Sequence, residues 1–212
     1  MAAAALRTAR GERILDLGCG QGGPGLWVAR ETGASLVGVD LSLVGLEGAQ
    51  ETALDFGLVG SARFCLGDMT RIPFKDRCFD GACSFAALFA VEDVTAVFKE
   101  AARVLRPGAR LVFTNWSRSI APACYAPPVA DYRPMLDASG FEVERHEPVA
   151  GAIDRMRRVC ELHLKRAERL EGEMGDIVRE GVLKSARHYL GLEDGIDYLA
   201  ASQWVLVAAR KL

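Results

Sequence analysis

A glycine-rich loop between two apolar segments is the part of this sequence whose residue types and spacing best suit chemistry. An acid is followed by glycines at alternate positions: Asp16, Gly18, Gly20 and Gly22. The apolar residues before the loop indicate a buried strand, and a helical pattern begins at Leu26. Glycine permits positive φ and lets a ligand approach the backbone where a Cβ would collide. The loop therefore predicts a cradle for a nucleotide-like ligand at a helix N-terminus.

Two cofactors fit this loop. A GxGxxG pattern starts at Gly18, and Asp40 lies where a dinucleotide-binding protein places its ribose-binding acid, so an NAD-dependent oxidoreductase is one alternative. Asp16 favours another cofactor, because a carboxylate attracts a cationic amino-acid end and repels a pyrophosphate. The stretch Asp-Leu-Gly-Cys-Gly-Gln-Gly that begins at Asp16 resembles motif I of the class I S-adenosylmethionine (SAM) methyltransferases.

Later motifs extend this resemblance along the chain, and the helical segment before the last strand resembles the cap of small-molecule, natural-product members (methyltransferase domain 11-like). Asp40 and the next residue resemble motif II, which implies that the acid accepts from the ribose hydroxyls while the neighbouring side chain flanks adenine. Asp68 and the next residue resemble motif III, in which the acid accepts from the adenine amino group. The resemblance implies SAM as the cofactor and the following cofactor-binding residues: Asp16, Gly18, Cys19, Gly20, Asp40, Leu41, Gly67, Asp68, Met69 and Ser84.

The elements that must position these residues alternate between strands and helices. Strands are expected at residues 14–17, 36–39, 62–66, 79–84, 110–114, 141–145 and 203–208. Helices are expected near residues 42–56, 92–105 and 131–139, with a turn at residues 106–108 before the fifth strand. This alternation predicts an α/β fold with a doubly wound, mostly parallel seven-stranded sheet, the Rossmann-like methyltransferase fold. We expect one methyltransferase domain over residues 1–212, with residues 151–201 as a helical cap before the last strand.

The sequence departs from the family where many members carry histidines that serve as general bases. Residues 88–91 contain none, and Ala109 replaces the second glycine of the common Arg-Pro-Gly-Gly turn. The chain begins about a dozen residues before the first strand, so we expect it to supply little of the N-terminal lid that family members carry. These departures keep open a second function, a SAM-binding protein without methyl transfer, such as a cyclase or a partner subunit.

Segments outside the family motifs must recognise the methyl acceptor, which we expect to be a small organic molecule methylated on oxygen or nitrogen. Tyr125 lies in a proline-rich loop after the fifth strand. His163 lies on an apolar stripe of the first helix of the cap, near Ile153 and Leu162. Tyr125 and His163 are therefore the candidate catalytic residues, although a histidine on an apolar face often only packs.

Composition narrows the classes of partner. The 212 residues carry a formal net charge of −2 and a pI near 6.0, which argues against a nucleic-acid partner. Six cysteines without a CxxC pair are typical of reduced thiols in a cytoplasmic protein, so we expect no metal site. The longest uncharged apolar run, residues 81–91, is too short to span a membrane. A homodimer surface on the cap is a further alternative.

Overall fold

The computed structural model describes residues 1–118, 127–166 and 176–212. Within them seven strands form one sheet in the order β3-β2-β1-β4-β5-β7-β6. The strands are β1 Arg13–Leu17, β2 Ser35–Asp40, β3 Ala62–Leu66, β4 Phe79–Phe85, β5 Leu105–Arg118, β6 Phe141–Pro148 and β7 Ser202–Lys211. The pairs β1–β2, β2–β3, β1–β4 and β4–β5 are parallel. This is the predicted doubly wound, mostly parallel sheet, and its strand order reverses beside β1, where open α/β sheets bind ligands.

The helices of the described residues are α1 Ala2–Leu6, α2 Gly23–Thr32, α3 Leu43–Asp55, α4 Val94–Val104, α5 Arg133–Ala138, α6 Ala152–Lys165 and α7 Asp176–Tyr189. Three of them, α2, α3 and α4, each connect two strands that pair in parallel. The Ser42 hydroxyl caps α3 by accepting from the Gly45 amide at 3.0 Å, at the start of the helix that the sequence predicts near residues 42–56. Asp93 caps α4 in the same way, and the apolar face of α4, which includes Val97 and Phe98, is fully buried.

The segment between α4 and β5 differs from the prediction. Leu105 pairs with Phe79 and already belongs to β5, whereas the sequence places it at the end of a helix. The next pair joins Gly81 to Arg110, so residues 106–109 bulge out of the strand opposite Asp80. The expected turn is therefore a bulge within β5, and Gly108 takes the positive φ of 80° that the bulge requires.

The described residues divide into two compact units. The sheet unit comprises residues 1–115, 131–147 and 205–212, and its core includes β1, where Ile14, Leu15 and Leu17 are fully buried. The helical unit comprises residues 116–130 and 148–204 and contains α6 and α7. Over the described ranges, no helix is both long and apolar enough to cross a membrane.

Candidate functional site

The glycine loop after β1 is held by backbone hydrogen bonds to the neighbouring strand β2. The amides of Gly18 and Cys19 both donate to the Val39 carbonyl, at 2.9 and 3.1 Å. Gly18 and Gly20 have φ of 69° and 49°, values that residues with a Cβ rarely adopt. A Cβ at Gly20 would have no heavy atom within 4 Å, so this glycine faces open space. The loop therefore exposes backbone at the carboxyl end of β1.

Asp40 connects three neighbouring loops at this edge of the sheet. Its Oδ2 accepts from the Gly20 amide at 2.7 Å, and its Oδ1 accepts from the Ser42 amide at 2.9 Å. Its backbone carbonyl accepts from the Gly67 amide at 3.0 Å. Leu41 is 69% exposed beside it. The acid of the second motif thus lies against the glycine loop, with an apolar side chain next to it.

The loop after β3 brings the third motif to the same edge. Asp68 is exposed, and its Oδ1 accepts from the Thr70 amide at 2.7 Å. Hydrogen bonds from the Thr70 backbone and side chain hold the pKa of Asp68 below its usual value, so this carboxylate is ionised at neutral pH. The Met69 Cε lies 2.9 Å from the position that a Cβ on Gly18 would take. The glycine loop after β1 and the loop after β3 therefore meet at Gly18.

The end of β4 contributes two residues that the sequence analysis missed. Ala86 has a φ of 55°, which is unusual for a residue with a side chain, and its amide donates to the Thr114 carbonyl at 3.0 Å. Ala87 lies so close to Gly18 that any side chain at Gly18 would overlap its Cβ. Ser84 is buried, and its hydroxyl donates to the Leu17 carbonyl at 2.8 Å, which ties β4 to β1.

Asp16 lies beneath the glycine loop and is only 2% exposed. Its carboxyl packs against α2, because a Cβ on Gly25 would come within 2.8 Å of the Asp16 Cγ. The Cys83 thiol of β4 hydrogen-bonds to this carboxyl. Burial, the largest cause, and the nearby Asp40 together raise the pKa of Asp16 to about 7, against the hydrogen bond from Cys83, which lowers it.

Cys19 and Cys83 are buried thiols beside this carboxyl. Burial raises the pKa of both thiols, and the negative charge of Asp16 adds to the effect. The thiols therefore stay protonated and unreactive at neutral pH. The described cysteines Cys19, Cys65, Cys78, Cys83 and Cys160 are all free.

The two candidate catalytic residues lie elsewhere. Tyr125 falls outside the described residues. His163 belongs to α6 of the helical unit and lines a cavity of about 460 Å³ between α6 and α7, together with Met156 and Val182. Leu162, which the sequence places on the same stripe, is 44% exposed and is not among the cavity-lining residues.

Aromatic packing dominates the remainder of the helical unit. Trp116 stacks on Tyr189 with ring centroids 5.6 Å apart and meets Trp204 edge to face at 5.0 Å. A second cavity of about 300 Å³ borders Trp116 and Trp204. Elsewhere on α6, Arg157 pairs with Asp197 at 2.7 Å.

The structure thus places the ten predicted cofactor-binding residues at or directly beneath one edge of the sheet unit. Asp16 and Ser84 lie under the loops, whereas Asp40, Leu41 and Asp68 lie around the opening. The roles given to them remain predictions. At Gly20 the missing side chain leaves open space beside the backbone. A buried carboxyl oxygen, Asp16 Oδ1, has no hydrogen-bond partner among the described residues, which favours a ligand with a cationic group.

Comparison with known proteins identifies relatives of this chain. Residues 15–113 match the methyltransferase domain family. The methyltransferase GfsG of Streptomyces halstedii is 37% identical over 110 residues, which are 52% of this chain and 40% of GfsG. The O-methyltransferase resE of Aspergillus sclerotiorum is 29% identical over 191 residues, which are 84% of this chain and 71% of resE.

Solved structures resemble nearly the whole chain, and one of them is a cyclase. It is the [4+2]-cyclase SpnF, which has a TM-score of 0.82 and 26% identity and covers 99% of this chain and 78% of SpnF.

Proposed function

Because the chain belongs to the class I SAM-dependent methyltransferases, we propose that it transfers the methyl group of SAM to an oxygen or nitrogen atom of a small organic molecule. The observation that carries this proposal is the joining of three motif loops at one edge of the sheet, where Asp40 accepts from the Gly20 amide. The similarity to an O-methyltransferase over 84% of the chain supports an oxygen acceptor.

The residues at this edge suit the parts of SAM. When bound, SAM supplies a methyl group that its positively charged sulfur makes electrophilic. We assign Asp40 to the ribose hydroxyls, Asp68 to the adenine amino group, and Leu41 and Met69 to the adenine ring. Asp16 suits a cationic ligand, because a buried carboxylate is stabilised by a nearby positive charge.

The remaining work of the protein is to orient the acceptor and exclude water. A general base is required only for an acceptor that keeps its proton at neutral pH. His163 is our candidate for this role, and Tyr125 is our candidate hydrogen-bond partner for the acceptor. The position of His163 beside α7 is equally that of a packing residue, so a loss of turnover in His163→Gln with unchanged SAM affinity is the result that would make it a base.

Methyl transfer is testable directly with SAM that carries an isotopic label on the methyl group. The purified protein is incubated with labelled SAM and a panel of phenols, alcohols and amines, and the products are identified by mass spectrometry. We expect label on oxygen or nitrogen of an acceptor and none with Gly20→Val, because a side chain at a φ of 49° strains the loop and fills its opening.

Gly60→Val is the matched control for this variant. Gly60 lies before the amino end of β3, takes no positive φ, and a Cβ there meets no heavy atom within 4 Å. The Gly60→Val variant should therefore retain full methyl transfer. Label on carbon only would contradict the oxygen or nitrogen assignment.

A second function, catalysis without methyl transfer, is favoured by two observations. The structure of the cyclase SpnF matches 99% of the chain, and residues 88–91 contain no histidine. In this case SAM would bind but not be consumed. A test substrate converted with an unchanged methyl count, and without formation of S-adenosylhomocysteine, would replace the first function by the second.

A further inference from the structure

The helical unit contains two cavities along one face of α6. The larger cavity, of about 460 Å³, lies between α6 and α7, and the smaller cavity, of about 300 Å³, borders Trp116 and Trp204. We propose that the two cavities together bind one elongated, apolar small molecule with an anionic end. None of the ten predicted cofactor-binding residues belongs to this unit, so the inference concerns binding alone and holds whether or not the protein transfers a methyl group.

One row of side chains on α6 connects the two cavities. Met156 and Val159 line both cavities, so the cavities adjoin at these two side chains. Ala152 in the smaller cavity and His163 in the larger one continue the row, because residues 152, 156, 159 and 163 have the spacing of one helix face. Val159 is 42% exposed, so this face is open to solvent and accessible to a ligand.

Aromatic rings form the other walls of the site. Trp116 and Trp204 line the smaller cavity, and Tyr189 lines the larger one. The stacking of Trp116 on Tyr189, with ring centroids 5.6 Å apart, joins the two walls. Aromatic rings and a methionine adapt to apolar ligands of varied shape, and both cavities have the size of small-molecule sites, about 300–1,000 Å³. These walls therefore select an apolar body.

Arg155 gives the smaller cavity a positive charge. Its Nη1 donates to the Ala150 carbonyl at 3.1 Å, and no acid pairs with its guanidinium in the described part of the chain. The other N–H groups of this guanidinium are available to a ligand, and a guanidinium binds carboxylate or phosphate oxygens strongly. An anionic group is therefore the end of the ligand that fits the smaller cavity.

The larger cavity offers polar groups of a different kind. The side chains of His163 and Ser185 line it, and neither has a hydrogen-bond partner within the residues that the structure describes. A hydroxyl or carbonyl group of the ligand satisfies such side chains. Arg155 and His163 are eight residues apart on α6, which is about 12 Å along the helix axis. A ligand that reaches both cavities is therefore elongated.

Decanoic acid is the probe for the test, because it joins an extended apolar chain to a carboxylate, and decanol is its uncharged counterpart. In the Trp27→Phe variant the remaining tryptophans, Trp116 and Trp204, both line the smaller cavity, so tryptophan fluorescence reports on this site. Below the micelle concentration, we expect one decanoic acid per chain, bound with a fluorescence change and about tenfold more tightly than decanol. Octanoic acid should bind about ten- to fifteenfold more weakly than decanoic acid, since it buries two fewer methylenes.

Absence of decanoic acid binding, or calorimetric binding without a fluorescence change, overturns the inference. So does an affinity for decanoic acid that does not exceed the affinity for decanol.

Val159→Trp tests whether the ligand occupies both cavities. The larger side chain fills the space at their junction, and calorimetry should show decanoic acid binding weakened by more than about tenfold. Leu162→Trp is the matched control, because Leu162 is 44% exposed on the same helix and lines neither cavity. Leu162→Trp should bind decanoic acid like the wild type. Equal affinity in the two variants contradicts the site.

Arg155→Gln tests the anionic end. This variant should bind decanoic acid about tenfold more weakly and decanol as tightly as the wild type does. Arg158→Gln removes an exposed charge from the same helix outside both cavities, and should keep the preference for the acid. If the preference for decanoic acid over decanol survives in Arg155→Gln, the proposed recognition of an anion is wrong.

Discussion

The glycine-loop edge of the sheet unit and the helical unit are stabilised in different ways. At the glycine-loop edge, backbone amides hold the functional groups: Gly18 donates to Val39, and Gly20 donates to Asp40. In the helical unit, large side chains pack on one another, as Trp116 does on Tyr189. The difference teaches that the first region depends on a few glycines and acids at fixed spacing, whereas the second depends on side-chain volume. Each kind of region should therefore fail under a different kind of substitution.

The largest effect on stability is expected from removal of an aromatic ring in the helical unit. Trp116 is 5% exposed, and Trp116→Ala should lower the free energy of unfolding by about 3–5 kcal/mol, because it leaves a large cavity. Trp27 of α2 is 40% exposed and provides the matched control. Trp27→Ala should cost less than about 1 kcal/mol in urea unfolding. If Trp116→Ala and Trp27→Ala lower the free energy of unfolding equally, the packing of Trp116 does not stabilise the helical unit as described.

The next largest effect is expected in binding, at the glycine-loop edge. Asp40→Ala removes an acceptor for the ribose hydroxyls and the anchor of the Gly20 amide, and should weaken SAM binding by about 2–4 kcal/mol. Asp80→Ala, at the amino end of β4, should leave SAM affinity unchanged. Calorimetric dissociation constants compare the two variants. Undiminished SAM affinity in Asp40→Ala would remove Asp40 from the cofactor site.

A smaller effect is expected on the pH dependence of stability. The pKa of Asp16 is about 7 in the folded state and near its ordinary value of 3.8 in the unfolded chain. The folded state therefore binds more protons between these values, and this group contributes stability that is lost as the pH rises from about 4 to 7. Asp16→Asn should gain about 2–3 kcal/mol relative to the ligand-free wild type between pH 5 and pH 8. A difference that stays constant with pH would show that Asp16 is ionised throughout.

The smallest effect separates two glycines in the first turn of the same helix. A Cβ at Gly25 would overlap the Asp16 carboxyl, whereas a Cβ at Gly23 meets no heavy atom within 4 Å. Gly25→Ala should therefore destabilise the protein by about 1–3 kcal/mol. Gly23→Ala should change the free energy of unfolding by less than about 1 kcal/mol, because the gain in helix propensity is offset by the restriction that Pro24 places on the residue before it. Thermal unfolding of the two variants distinguishes them, and a stable Gly25→Ala protein would show that Asp16 has room to move.

The contrast between residues at fixed spacing and packed side chains also explains which features the sequence could predict. The strands and the cap of α3 follow from local patterns, and the sequence predicts Asp40 and Asp68 at neighbouring strand ends because parallel strands end at the same edge. A Cβ on Gly18 would overlap Ala87, and a Cβ on Gly25 would overlap Asp16. Gly18 and Ala87 are distant in sequence, and Gly25 is one of several glycines in the same run. Local patterns carry no information on such contacts.

The helical unit was the harder part to predict. The periodicity of α6 predicts an apolar stripe, but it does not show that His163 lines a cavity beside α7 while Leu162 remains exposed. The bulge at residues 106–109 was missed for a related reason. A Pro-Gly pair indicates a turn, and only the pairing of Leu105 with Phe79 shows that β5 has already begun.

The central claim is that the glycine-rich edge binds SAM, and titration of SAM and NAD into the purified chain by calorimetry tests it most directly. We predict one SAM molecule bound per chain in the wild type, loss of that binding in Gly20→Val with retained folding, and no binding of NAD. Binding of NAD without SAM, or SAM binding that Gly20→Val leaves intact, would contradict the assignment of this edge as the SAM site.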